Sequence, residues 1–176
     1  MTDPLTPPAP HLDPDRAPTT LRQQLVRNID EVVLTRFHRP PLYDTRCGGL
    51  TDAAPAGSPA RKLGAGFDIL APGQRGCPYH FHHAQEEMFI ILAGHGSLRV
   101  AGQLLPLRAG DVVTIPPGPA YPHQIINSGS APLHYISIST QERPEVCEYP
   151  DSGKLSVLGR SLHRQADAVD YWDGEA

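Results

Sequence analysis

Long apolar runs are absent from this sequence. A stretch such as Met88–Ala93 is far short of the ~20 residues a membrane-spanning helix needs. No basic-then-apolar segment opens the chain, so no signal peptide is expected. Cysteine is scarce and odd in number: Cys47, Cys77 and Cys147, with no CxxC spacing. That excludes a disulfide framework and a zinc ribbon, and it fits a reduced, cytoplasmic setting. Positive charge is not in surplus. Fifteen Lys and Arg stand against 19 Asp and Glu, for a net charge of -4. A nucleic-acid binder would need a basic face, so no nucleic-acid partner and no membrane partner is expected. There is no internal repeat, and 176 residues suit one domain.

Proline, by contrast, is abundant. Six fall within residues 1–20, at 4, 7, 8, 10, 14 and 18, where little else could pack. This stretch reads as a disordered or extended arm. Thr20-Leu21-Arg22-Gln23 then offers a capping box for a short helix toward Arg27. From Glu31 onward the pattern is that of strands. Val32–Phe37 is rich in β-formers. Residues 51–59 form a small-residue loop with Gly57 and two prolines. Leu63, Ala65, Phe67 and Ile69 alternate with Gly64, Gly66, Asp68 and Leu70, the period-two signature of a strand. Further short strands are predicted over 97–100, 103–107, 111–115, 123–127 and 133–140, separated by Ala101-Gly102, Ala109-Gly110 and Ser128-Gly129. Short strands at close spacing with Gly and Pro turns imply an all-β sandwich or barrel.

The chemistry concentrates in His80-Phe81-His82-His83-Ala84-Gln85-Glu86-Glu87. Residues i and i+2 of a strand share a face, so His80 and His82 can aim their rings at one point. A bend at 83–86 followed by an antiparallel strand would return Glu87 to the same place. His83 and Glu86 have the opposite parity and should face away.

These residues carry a close resemblance to the cupin superfamily. Its first motif is HxH, three or four residues, Glu, six residues and Gly; His80, His82, Glu87 and Gly94 match it. The leading glycine six positions earlier is replaced by Gln74. Its second motif is Gly, five residues, PxG, two residues, His, three residues and Asn. Gly110, Pro116, Gly118, His123 and Asn127 match, with two extra residues between Gly118 and His123. The resemblance covers roughly residues 60–140.

It implies a double-stranded β-helix of jelly-roll type over 61–142, with 21–60 packing on the barrel and 143–176 as a C-terminal extension. It also implies that His80, His82, Glu87 and His123 bind one divalent transition metal: Fe, Mn, Ni, Co or Zn. Three imidazoles and a carboxylate leave one or two coordination positions open, and the sequence does not choose the metal. Tyr79, Phe89, Tyr121 and Asn127 are candidate pocket residues, and Cys77 lies near the mouth. Phe67, Phe89, Ile91 and Ile125 suggest an apolar lining, with Arg75 and Arg99 as the only cations nearby. Such a pocket suits a small, partly apolar chelating molecule better than a phosphosugar, which would want several Arg or Lys inside, and oxygenase-type chemistry is the leading expectation. A metal-dependent isomerase or lyase is one alternative; a non-catalytic ligand-binding or sensory module is the other, because no general base beyond the four ligands is evident.

Two further features carry expectations. In the Glu87 strand both parities are apolar, so Met88, Ile90 and Leu92 need a cover. A homodimer is expected to supply it, the chain's own tail being the other candidate. Tyr171 and Trp172 are the large apolar groups near the C-terminus and should anchor it on the barrel's outside. Asp151-Ser152-Gly153-Lys154 reads as a turn rather than a phosphate loop.

Overall fold

The structure is a computed structural model that describes residues 22–23, 25–51, 62–159 and 161–175. The proline-rich stretch 1–20 and residues 52–61, with most of the small-residue loop, lie outside the described residues. Thirteen strands follow one another: β1 (Thr35–Arg39), β2 (Tyr43–Gly49), β3 (Leu63–Leu70), β4 (Phe81–His82), β5 (Glu87–Ala93), β6 (His95–Val100), β7 (Gln103–Arg108), β8 (Val112–Ile115), β9 (His123–Ile126), β10 (Leu133–Thr140), β11 (Val146–Tyr149), β12 (Lys154–Val157) and β13 (Ser161–Arg164). Near the start, Val26 N–H donates to Arg22 O at 2.9 Å, one helical turn where a short helix is expected. The first strand begins three residues later than Val32, because its pairing with β2 starts at Thr35↔Cys47.

One sheet runs β1-β2-β3-β10-β5-β8, and every neighbouring pair in it is antiparallel. The opposing layer is β7-β6-β9, joined through the bridge His80↔His123 to β4-β11-β12-β13. The core between the layers is Leu70, Phe89, Ile91, Leu98, Leu107, Ile115, Ile125, Leu133 and Tyr135, all buried. This is the expected all-β jelly-roll barrel. Alternation explains it: Phe89 and Ile91 of β5 point inward with Glu87, while Met88 and Leu92 stand partly exposed on the other face.

Two glycines fix loops at opposite ends of the barrel. Gly94 has φ +87° and joins β5 to β6, and a Cβ there would sit 2.5 Å from Pro132 O. Gly118, at φ +103°, donates its N–H to His82 O at 2.7 Å. That bond ties the longer Gly118–His123 loop to the ligand strand, so the two extra residues leave His123 in place.

The C-terminal extension differs from a simple outer strap. Its first strand, β11, pairs with β4 in the register Cys147↔His82 and Glu148↔Phe81. It therefore prolongs the layer that carries the histidines. The tail's aromatic pair is not docked: Tyr171 and Trp172 are 83% and 70% exposed and pack edge-to-face on each other, centroids 4.8 Å apart. Their flanking Asp170, Asp173 and Glu175 keep that segment in water. The outer face of β5 consequently has no cover from Tyr171 or Trp172.

Asn127 is fully buried and ties three backbone groups together. Its Nδ2 donates to Leu70 O (2.8 Å) and Ala131 O (2.9 Å), and its Oδ1 accepts from Gly129 N–H (3.0 Å). Asn127→Ala should cost about 2–4 kcal/mol, since the Leu70 and Ala131 carbonyls lose their donor and the Gly129 N–H its acceptor. A urea-unfolding shift equivalent to less than ~0.5 kcal/mol would show that this amide is dispensable.

Candidate metal centre

The four expected ligand residues come from four different places in the fold. His80 precedes β4 and is bridged to β9, with His80 N–H donating to His123 O (3.1 Å) and His123 N–H to His80 O (2.8 Å). His82 ends β4, Glu87 opens β5, and His123 opens β9. Their side chains meet. Glu87 Oε2 lies 2.7 Å from His123 Nε2, 3.5 Å from His82 Nε2 and 3.6 Å from His80 Nε2. The His80 ring centroid is 5.0 Å from that of His82 and 4.6 Å from that of His123.

The outward-facing nitrogens decide the tautomers. His80 Nδ1 is 2.9 Å from Pro78 O, and His123 Nδ1 is 3.2 Å from Tyr121 O. A carbonyl can only accept, so these Nδ1 atoms carry the proton. His82 Nδ1 likewise faces the Glu145 carboxylate, 3.1 Å from Oε1. Each ring is thereby held with its Nε2 toward Glu87. A bare Nε2 and a carboxylate oxygen at 2.7 Å both present lone pairs. Such a contact requires positive charge, either a proton on the imidazole or a cation bound by the group.

The electrostatics agree. Burial opposes the Glu87 charge, yet hydrogen bonds from His123 and His80 hold its carboxyl well below the usual carboxylate range. Burial likewise opposes an imidazolium at His80, but Cys77 and Glu87 beside it hold that ring above its ordinary value. Three nitrogens and one oxygen, buried and convergent, match the donor chemistry of a borderline divalent ion.

Sequence reasoning did not find Glu145. Its Oε1 faces His82 Nδ1 and accepts from His83 N–H (3.2 Å), and its Oε2 accepts from the N–H groups of Ala84 and Gln85 (both 3.0 Å). One buried carboxylate thus orients a ligand ring and builds the bend that returns the chain to Glu87. Cys147 and Tyr149 follow on the same parity of β11. Cys147 Sγ groups with His80 and His82, their ligand atoms all within 4.8 Å of one another. The Tyr149 ring stacks near His80, centroids 6.1 Å apart.

A cavity of about 350 Å³ opens beside His80 and His82. Its walls include Gln85, Gln141, Arg143, Glu145, Cys147 and Tyr149. This differs from the expected lining. Phe89, Ile91 and Ile125 belong to the packed core, although the Phe89 ring lies 5.7 Å from that of His123. Tyr79 is buried under the Arg99 guanidinium, which sits 3.7 Å above its ring. Tyr121 is largely exposed, and Asn127 serves the backbone as described. Arg99 pairs with Asp151 (2.6 Å) rather than entering the pocket. Cys77 does reach the cavity wall, 3.6 Å from His80 Nδ1. His83 turns away, as its parity requires, and pairs with Glu148 at 2.7 Å.

Glu145→Ala should release the bend. Exchange of the His83, Ala84 and Gln85 amide hydrogens should quicken about tenfold or more, because each loses a charge-assisted bond worth ~1.5 kcal/mol or more. Unchanged exchange at these three amides would show that the bend is held by other means.

Comparison with known proteins places this geometry. Residues 66–139 match the cupin domain family. An uncharacterized protein of Methanocaldococcus jannaschii is 35% identical over 60 residues, 34% of this chain; the chain spans 46% of that protein's length. A solved structure from Acidithiobacillus ferrooxidans, provisionally named a sugar phosphate isomerase, is 26% identical with a TM-score of 0.72, covering 84% of this chain and 97% of that one. A sugar phosphate isomerase from Silicibacter pomeroyi shares the fold at 20% identity and a TM-score of 0.66, covering 83% of this chain and 96% of its own. With the two sequence motifs, the family match and the jelly-roll barrel in agreement, the barrel of this chain belongs to the cupin superfamily.

Proposed function

We propose that this protein is a metal-dependent cupin enzyme acting on a small, oxygen-rich anionic molecule, with isomerase-type proton transfer as its chemistry. The observation that carries this reading is the Arg143 guanidinium, with the Gln85 and Gln141 amides, in the wall of the cavity beside His80 and His82. The partly apolar substrate expected from sequence, preferred there to a phosphosugar, rested on an aliphatic and aromatic lining. Ile91, Ile125 and Phe89 are core residues instead, which removes that support. The likeness to the Acidithiobacillus protein supports the same direction.

A divalent ion held by His80, His82, Glu87 and His123 would supply Lewis-acid polarisation of a substrate oxygen. The chain's own groups do the rest. Arg143 has no carboxylate partner among the described residues, and its guanidinium is available to an acidic substrate group. Gln85 and Gln141 offer amide donors and acceptors to hydroxyls. Burial raises the Tyr149 phenol, with Cys147 adding to the effect, so its Oη keeps its proton and can donate it to a developing alkoxide. Leu158 and Gly159, in the turn between β12 and β13, complete the wall on that side.

The test is solvent-exchange NMR in D2O. Metal-reconstituted protein is offered sugar phosphates, the matching free sugars and small hydroxy acids. Deuterium should enter the carbon next to the substrate carbonyl, chelation should abolish the exchange, and Arg143→Ala should raise KM for the anionic substrate about tenfold or more. Oxygen uptake without deuterium exchange would replace this reading with an oxygenase. Saturable binding without turnover would replace it with a ligand-binding module.

A further inference from the structure

Beyond the four family ligands, a fifth donor faces the same histidines. Cys147 lies on β11 directly opposite His82 on β4, and directly opposite residues of an antiparallel pair present their side chains on one face. Its sulfur and the ligand atoms of His80 and His82 lie within 4.8 Å of one another. Cys147 is 8% exposed, and what it meets is the cavity wall rather than the apolar core. A buried cysteine usually packs as a small hydrophobe; this one has its sulfur within 4.8 Å of the ligand atoms of two imidazoles. The His82 ring is turned for the purpose, because Glu145 occupies its Nδ1 and leaves Nε2 on the inner side.

The other two cysteines are placed differently. Cys77 Sγ approaches His80 from its Nδ1 edge, the nitrogen already bonded to Pro78 O. Cys47 lies on β2 opposite Asp68, in the other layer. Two overlapping donor sets therefore share His80: one with Glu87 and His123, the other with His82 and Cys147.

We propose that Cys147 is a metal-ligating residue whose sulfur joins His80 and His82 in holding a thiophilic divalent ion such as zinc or cobalt. This rests on the metal reading above and sharpens it. As the sulfur–metal bond forms, the S–H bond breaks and its proton passes to buffer; no electrons change hands. A thiolate in the set favours zinc, cobalt, nickel or iron over manganese and magnesium, which prefer oxygen donors.

The experiment is a titration of cobalt(II) into the chelator-stripped full chain, followed by absorption spectroscopy. Wild type should develop visible d–d bands together with a near-ultraviolet sulfur-to-cobalt charge-transfer band. Cys147→Ser should keep the visible bands and lose the near-ultraviolet one. The double variant Cys47→Ser/Cys77→Ser, with Cys147 as its remaining cysteine, should keep both, and it provides the answer should Cys147→Ser fail to fold. Visible bands without the near-ultraviolet band in wild type would overturn the Cys147 assignment while leaving the four-ligand centre intact. Survival of the near-ultraviolet band in Cys147→Ser, or its loss in the double variant, would overturn it equally. Absence of any cobalt binding would overturn both this assignment and the metal reading.

Discussion

A carboxylate buried in an apolar barrel is the constraint from which much of this structure follows. Left unpaired, Glu87 would cost several kcal/mol. The fold answers with three imidazoles around one oxygen, at 2.7, 3.5 and 3.6 Å. Each imidazole must then present the same nitrogen inward, and that requirement propagates outward. It fixes the Pro78 and Tyr121 carbonyls against two rings and the Glu145 carboxylate against the third. The His80↔His123 backbone bridge holds two of the strands at the spacing this demands.

The C-terminal hairpin takes part in that arrangement rather than decorating it. Glu145, just before β11, and Cys147 and Tyr149 on it share one parity, so three groups reach the site from one short segment. Glu145 shapes the bend between His82 and Glu87, Tyr149 stacks near His80, and Cys147 faces two ligand rings. With Gln141 and Arg143 just before it, this segment supplies much of the cavity wall. The barrel positions the four candidate ligands, and the extension walls much of the cavity beside them.

What the sequence reveals and what it conceals divide along contact range. His80 and His82 are legible because alternation in a strand is a local rule, and Glu87 follows after one bend. The outward turn of His83 is legible for the same reason. Glu145 is 63 residues from the ring it orients, and no local period announces such a pairing. A signal did exist: Glu145, Cys147 and Tyr149 fall on one parity immediately after the long β10 strand, which is the pattern of a strand with a polar inward face. The apolar lining was misplaced because inward-facing and cavity-facing are different conditions. Ile91 and Ile125 point inward but fill the packed core, while the cavity beside the histidines is walled largely by 141–159, beyond the two motifs. The Tyr171–Trp172 pair shows the reverse error, since large apolar area does not dock without a complementary surface and acidic neighbours hold it in water.

The most direct measurement is anomalous diffraction at the metal's absorption edge from crystals of protein loaded with one divalent ion. The account predicts a single strong peak between His80, His82, Glu87 and His123, at roughly 2.0–2.3 Å from their donor atoms. A loaded crystal with no peak there, or with the anomalous signal confined to surface histidines, would contradict it.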